Sequence, residues 1–196
     1  SISEGVSRII TIDLHAPQIQ GFYKIPLDNL YSFPDAARYL KANNSNCEEI
    51  VVVSPDSGGV ERARAFAQKI GSKHPIALIE KRRVEAGEVK EMRLVGDVEG
   101  KDILLVDDMI DSGGTLIGAA DLLKEKGARL IMCYGTHGIF TNNAEEKLFE
   151  IFDRVITSDT IPCPHSEKIE IISVAKTFGE AIYRAQKGFS ISQLFE

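Results

Sequence analysis

The sequence predicts an α/β fold, a parallel twisted sheet flanked by helices. Short apolar runs alternate with runs of helical length along the whole chain. The strand-like runs, such as 103–106, are apolar throughout, which suits parallel strands buried on both faces. Turns rich in Gly, Ser and Asp follow them, at the strand ends where such sheets bind ligands. Hydrophobic residues make up 43% of the 196, enough for the core of one domain or one and a half.

The elements follow in order. Residues 9–12 form a strand ending in Asp13, Leu14 and His15. Residues 17–34 are loop-rich and carry Phe22, Tyr23, Tyr31 and Phe33. A helix is expected over 34–41 and a second apolar strand over 49–53. The turn 54–59 then leads into a helix over 60–70. A third strand covers 76–79. Residues 80–92 are charged and contain Gly87, which suggests an exposed mobile loop. The strand at 103–106 feeds a helix over 116–126. Another strand, 130–134, ends at Gly135, Thr136, His137 and Gly138. A helix over 143–152, short strands at 155–157 and 169–172, a helix over 174–186 and a tail from 188 complete the chain.

Bulk properties narrow the class. The net charge of −6 argues against non-specific nucleic-acid binding. Cys47, Cys133 and Cys163 are odd in number and lack CxxC spacing, so a disulfide framework or zinc site is not expected and a reducing cytoplasm is. No run reaches the length of a transmembrane helix and no signal peptide is visible. The chain starts without Met, and residues 8–12 already read as a strand, so a preceding portion is expected.

The most informative stretch is 103–115. Its strand runs into Asp107 and Asp108, then into Asp111, Ser112, Gly113, Gly114 and Thr115 at a helix start. Glycines let backbone N–H groups close on an anion, hydroxyls add donors, and the helix N-terminus adds partial positive charge. The acidic pair repels a phosphate, so its partners are sugar hydroxyls or a metal ion. A phosphate with a diol beside it describes a ribose 5-phosphate unit. The turn Asp56, Ser57, Gly58 and Gly59 is a second candidate, for a pyrophosphate with Asp56 holding a cation; a plain Gly-rich turn fits it too. Lys81, Arg82 and Arg83 fit a solvated charge run, or cations brought over a transferring phosphoryl group. His15 ends a strand, where structural and metal- or phosphate-binding roles are both open. His137 has a similar but weaker case.

Taken together, DLHAPQIQGF (13–22), IPLDNLY (25–31), SPDSGG (54–59), KRR (81–83), GDV (96–98), VDDMIDSGGT (106–115), TH (136–137) and SISQLF (190–195) resemble the ribose-phosphate pyrophosphokinase (phosphoribosyl-pyrophosphate, PRPP, synthetase) family, in order and at its spacing. The resemblance covers essentially the whole chain and implies a type I phosphoribosyltransferase-like fold. Residues 1–33 would be the end of an N-terminal domain of that type and 34–196 the C-terminal domain, with the tail packing back on the first. The implied reaction is attack of the ribose 5-phosphate C1 hydroxyl on the β-phosphorus of Mg–ATP, giving PRPP and AMP. His15 and Asp56 would serve the Mg²⁺–ATP phosphates. Asp107 and Asp108 would hold the ribose hydroxyls and associated metal. Residues 111–115 would bind the 5-phosphate, and Lys81 and Arg83 would be the catalytic cations. Asp28, Ser190 and Phe195 would belong to a regulatory site for phosphate or ADP between subunits of a homo-oligomer, a hexamer by resemblance. The portion before Ser1 helps form the adenine pocket in that family, so little activity is expected of this chain alone. Two alternatives are a PRPP-synthetase-associated regulatory protein and a PRPP-dependent phosphoribosyltransferase. Intact Lys81, Arg83, Asp107 and Asp108 weigh against the first, and no hood for a nucleobase is visible for the second.

Overall fold

A computed structural model describes residues 5–43, 46–82, 91–163 and 166–195 of the chain. Nine strands are described in two sheets. Strands β1 (Ile9–Ile12) and β2 (Leu27–Leu30) pair parallel in a small sheet of their own. The main sheet holds β3 (Ile50–Ser54), β4 (Ala77–Arg82), β5 (Glu91–Val95), β6 (Asp102–Ile110), β7 (Leu130–Gly138), β8 (Arg154–Ser158) and β9 (Ile169–Ile172). Its order is β5-β4-β3-β6-β7-β8-β9, parallel except for β5, which runs antiparallel to β4 at the edge. The α/β expectation therefore holds for the main sheet.

Period-two alternation splits the central strands between two cores. Val51, Val53, Ile103 and Leu105 face one core, with α3 (Gly114–Glu125) and α4 (Ala144–Ile151). Ile50, Val52, Leu104 and Val106 face the other, with α1 (Phe33–Asn43) and α2 (Val60–Ile70). Both faces are covered, so these strands must be apolar throughout, and that is why they were legible. The small sheet rests on α5 (Ala175–Lys187) through a third cluster of Ile12, Leu30, Val174 and Ala181. Helix α2 ends at Gly71, whose left-handed φ of 78° lets its N–H reach back to the Ala67 and Gln68 carbonyls.

The first strand lies outside the main sheet, so His15 leaves a different sheet from the other site residues. Several expectations are corrected. Residues 17–34 contain a short 3₁₀ helix, Pro17–Phe22, and strand β2, whose sequence LDNL is too short and too polar to show as an apolar run. Residues 80–82 and 91–92, expected in a loop, lie in β4 and β5. Residues 83–90, with Gly87, lie outside the described residues. Strands β6 and β7 are nine residues each and outrun the apolar runs that marked them.

Candidate active site at the carboxyl end of the sheet

The extra length of β6 builds the site. Pairing with β3 stops at Val53 and Leu105, while pairing with β7 continues to Ile110 and Gly138. Asp107 and Asp108 are therefore strand residues standing beyond the end of β3, not residues of a following turn. Beside them is a cleft of about 240 Å³ lined by His15, Asp56, Asp107, Asp108, Asp111, Ser112, Gly113, Gly114 and Thr115. The structure thus gathers residues from β1's end, the turn after β3, β6 and the turn after it.

Gly113 makes the cradle. Its φ of 75° is left-handed, and it sits at the N-cap of α3 with no side-chain cap on the helix. The first N–H groups of a twelve-residue helix are thereby left to a ligand, as anion sites require. Lys81 reaches this point from β4: its Nζ donates to Thr115 Oγ1 at 3.2 Å. Thr141 Oγ1 donates to Asp111 Oδ1 at 2.7 Å. Arg83 lies outside the described residues.

The acidic pair is asymmetric. Asp107 is pushed up to about 7, first by burial and then by the neighbouring Asp108 carboxylate. Asp108 is lowered: burial raises it, but hydrogen bonds from Asp107 and His15 and the charge of Arg62 more than offset that. His15 Nδ1 lies 2.6 Å from Asp108 Oδ2. Arg62 Nη1 is 3.4 Å from Asp107 Oδ1, and its Nη2 is 3.8 Å from Asp108 Oδ2. Arg62 escaped the sequence reading. The available signal was its place in the first turn of the helix that follows the 54–59 turn, which aims a long side chain back at the strand ends.

The turn after β3 differs in detail from its expected use. Asp56 Oδ1 accepts from the N–H groups of Gly58 (2.9 Å) and Gly59 (3.1 Å). The carboxylate thus occupies the donors that a pyrophosphate was expected to take. Asp56 itself still lines the cleft.

The three residues expected at a regulatory site are spread over the small sheet and the tail. Asp28 on β2 pairs with Arg8, Nε to Oδ2 at 2.5 Å. Ser190 Oγ lies 2.8 Å from Ser192 Oγ. Phe195 packs edge-on against Tyr31, ring centroids 5.4 Å apart.

Residues 80–196 match the family described as phosphoribosyl synthetase-associated domain. The ribose-phosphate pyrophosphokinase of Caldanaerobacter subterraneus subsp. tengcongensis is 46% identical over 195 residues, which cover 97% of this chain and 61% of that protein. The crystal structure of phosphoribosylpyrophosphate synthetase from Mycobacterium smegmatis superposes with a TM-score of 0.83 at 36% identity, covering 94% of this chain and 60% of that one. The adenine phosphoribosyltransferase of Giardia lamblia, 19% identical with a TM-score of 0.51 over 63% of this chain and 77% of its own, shares the fold. The chain thus spans about three fifths of the length of the pyrophosphokinase relatives it matches. With its matched residues running from β4 through the acidic pair and the α3 cradle to the tail, the chain belongs to the phosphoribosyl synthetase-associated domain family.

Proposed function

We propose that this chain supplies the ribose 5-phosphate site and a catalytic cation of a ribose-phosphate diphosphokinase, which transfers the pyrophosphoryl group of Mg–ATP to the C1 hydroxyl of ribose 5-phosphate. The observation that carries the reading is Lys81 Nζ at Thr115 Oγ1, a cation delivered from one strand to the uncapped helix N-terminus at the end of another. The acidic pair beside that cradle supplies acceptors for sugar hydroxyls.

In this reading the N–H groups at 113–115 and the Ser112 and Thr115 hydroxyls hold the 5-phosphate. Asp107 and Asp108 take ribose hydroxyls and fix the ring. Lys81, with Arg83, meets charge on the transferring phosphoryl oxygens, where phosphoryl transfer needs positive charge more than a nucleophilic side chain. Positioning of the hydroxyl against the phosphorus contributes the rest.

Mg²⁺ fits the donor chemistry. The ion is commonly held by one or two carboxylates together with substrate phosphates and water. Among the described residues no group of three or more His, Cys, Asp or Glu side chains is placed to hold a metal ion by itself. Single carboxylates do face the cleft, at Asp56, Asp107 and Asp108. His15 binds a carboxylate through Nδ1 and keeps Nε2 for a ligand, the arrangement common among metal-binding histidines. His15 and Asp56 beside the acidic pair would hold the ion together with substrate phosphates and water, and when bound it neutralises phosphate charge.

Asp28, Ser190 and Phe195 remain a proposed regulatory site for phosphate or ADP in a homo-oligomer, a hexamer by resemblance. Residues 1–33 are proposed as the end of an N-terminal domain and 34–196 as the C-terminal domain, with the tail packing back on the first; Ile191, Leu194 and Phe195 against the cluster of Ile12 and Leu30 support that packing. The site assignment is tested by calorimetry with ribose 5-phosphate. Gly113→Val places a branched side chain at a φ of 75°, where the added Cβ would also lie 3.5 Å from Leu148. Affinity should fall at least tenfold, about 1.4 kcal/mol. Unchanged affinity would remove the 5-phosphate from this loop.

A further inference from the structure

His15 reaches the site from the small sheet, whereas Asp108 belongs to the main sheet. Something must hold the two sheets in register for a 2.6 Å contact between them to exist. The described contacts lead to Asp13. It is a non-glycine residue with φ 44°, in the sparsely populated left-handed region, and it is 6% exposed. Strain of this kind persists only where the surroundings over-determine it.

Here they do. One carboxylate oxygen of Asp13 accepts from Ser32 N at 2.9 Å, from Ser32 Oγ at 2.5 Å and from Thr136 Oγ1 at 2.8 Å. Tyr134 OH in turn donates to Ser32 Oγ at 2.6 Å. The Asp13 carbonyl lies 3.2 Å from His137 Nε2, which can donate to it. The next N–H, of Leu14, donates to Asn29 Oδ1 at 3.1 Å. A buried carboxylate is costly without donors, and its donors come from both sides: Thr136 on β7, and Ser32 just after β2, with Tyr134 and His137 of β7 and the accepting Asn29 of β2 bonded around them. The left-handed residue turns the chain out of β1, and two residues later the imidazole meets Asp108.

We propose that Asp13 is a positioning residue: its buried network with Ser32 and Thr136 fixes the turn that delivers His15 from the small sheet to Asp108. Asp13 touches no reacting atom and acts through His15. That the delivery serves catalysis rests on the diphosphokinase reading; the delivery itself does not. The phosphate cradle hangs on β6 and α3 and is independent of this network.

The test uses ring-selective nitrogen NMR of the histidines in the 196-residue chain at one fixed pH, with no ligand added. In the parent chain His15 Nδ1 should show the shift of a nitrogen bonded to a carboxylate. Thr136→Val and Asp13→Asn should each move that signal toward the position of a free imidazole, and Thr136→Ser, which restores the hydroxyl, should return it. Ser32→Ala serves as the second disruption should Asp13→Asn fail to fold. Ribose 5-phosphate affinity should stay within twofold of the parent in Thr136→Val. A His15 signal identical to the parent in the folded disrupting variants overturns the proposal. Absence of ribose 5-phosphate binding in the parent chain would instead count against the functional reading and leave the NMR result to decide the positioning role.

Discussion

At the scale of single residues, the acidic pair carries the clearest electrostatic signature. Asp107 rises to about 7 when folded, from an ordinary value of 3.8. The folded chain therefore holds that proton more tightly than the unfolded one. The associated stability is present below about pH 4 and is lost as pH rises through about 7. Asp108 works in the opposite sense, its contribution being lost in acid below the ordinary carboxylate range. In ligand-free, metal-free buffer the chain should thus lose melting temperature between about pH 4 and 7, and Asp107→Asn should flatten that slope. An unchanged slope in the variant would assign it to other groups. Lys81 gives a second expectation. It donates to Thr115 at the cradle, and the proposed function gives its charge to the transferring phosphoryl oxygens. In the complete enzyme of the proposed function, Lys81→Ala should lower kcat for PRPP formation by ~100-fold or more while KM for ribose 5-phosphate moves less than ~threefold. Near-normal kcat would return the charge run to a solvated face. These residues were readable because glycines, hydroxyls and paired acids stand together in sequence. Arg62 was not, because a single Arg on a helix looks the same whether it faces solvent or a carboxylate pair.

At the scale of elements, apolar runs marked where strands begin but not where they end. Strand β7 continues through Gly135, Thr136, His137 and Gly138, which read as a turn from composition. The glycines serve close packing there. A Cβ on Gly135 would lie 2.5 Å from Ile110 Cγ1 and 3.2 Å from the Ile110 N. Gly135→Ala should therefore cost roughly 1–3 kcal/mol in urea unfolding through overpacking. It should also weaken ribose 5-phosphate binding, since Ile110 leads directly into the cradle. Gly179 is the control. It lies inside α5 with nothing within 4 Å of an added Cβ, so Gly179→Ala should stabilise by about 0.5–1 kcal/mol. Equal effects of the two substitutions would show that packing at the β6–β7 end is looser than these distances state. Strand β5 escaped the sequence reading for another reason. As an antiparallel edge strand it alternates apolar and charged residues, Glu91 to Val95, and its charges resemble a loop.

At the scale of the whole molecule, the two sheets differ in what holds them. The main sheet is covered on both faces by large apolar clusters, and Leu104, Leu105 and Val106 at its centre are fully buried. The small sheet has one cluster, in which Ile12, Leu30, Val174 and Ala181 are the buried members, and three of the four residues of each of its strands are only half-buried. Hydrophobic stabilisation follows apolar area removed from water, so the smaller cluster should open at lower free energy. Its link to the main sheet is largely polar, through Asp13, Ser32 and Thr136, with Thr177 Oγ1 to Asp35 Oδ2 at 2.6 Å joining α5 to α1. Hydrogen exchange should therefore show the amides of Ile10 and Thr11 exchanging at least ~100-fold faster than those of Leu104 and Leu105, with Asp13→Asn widening the gap. Ribose 5-phosphate should slow exchange at 113–117 while leaving Ile10 and Thr11 unchanged, because the cradle lies wholly on the main sheet. Equal protection of the two sheets in the parent chain would make them one cooperative unit and would contradict a small sheet that opens on its own. The expected division has a chemical consequence. On the proposed function, the sugar-phosphate half of the site is built into the doubly covered main sheet, whereas His15 arrives on an element tied to it through a few buried polar contacts.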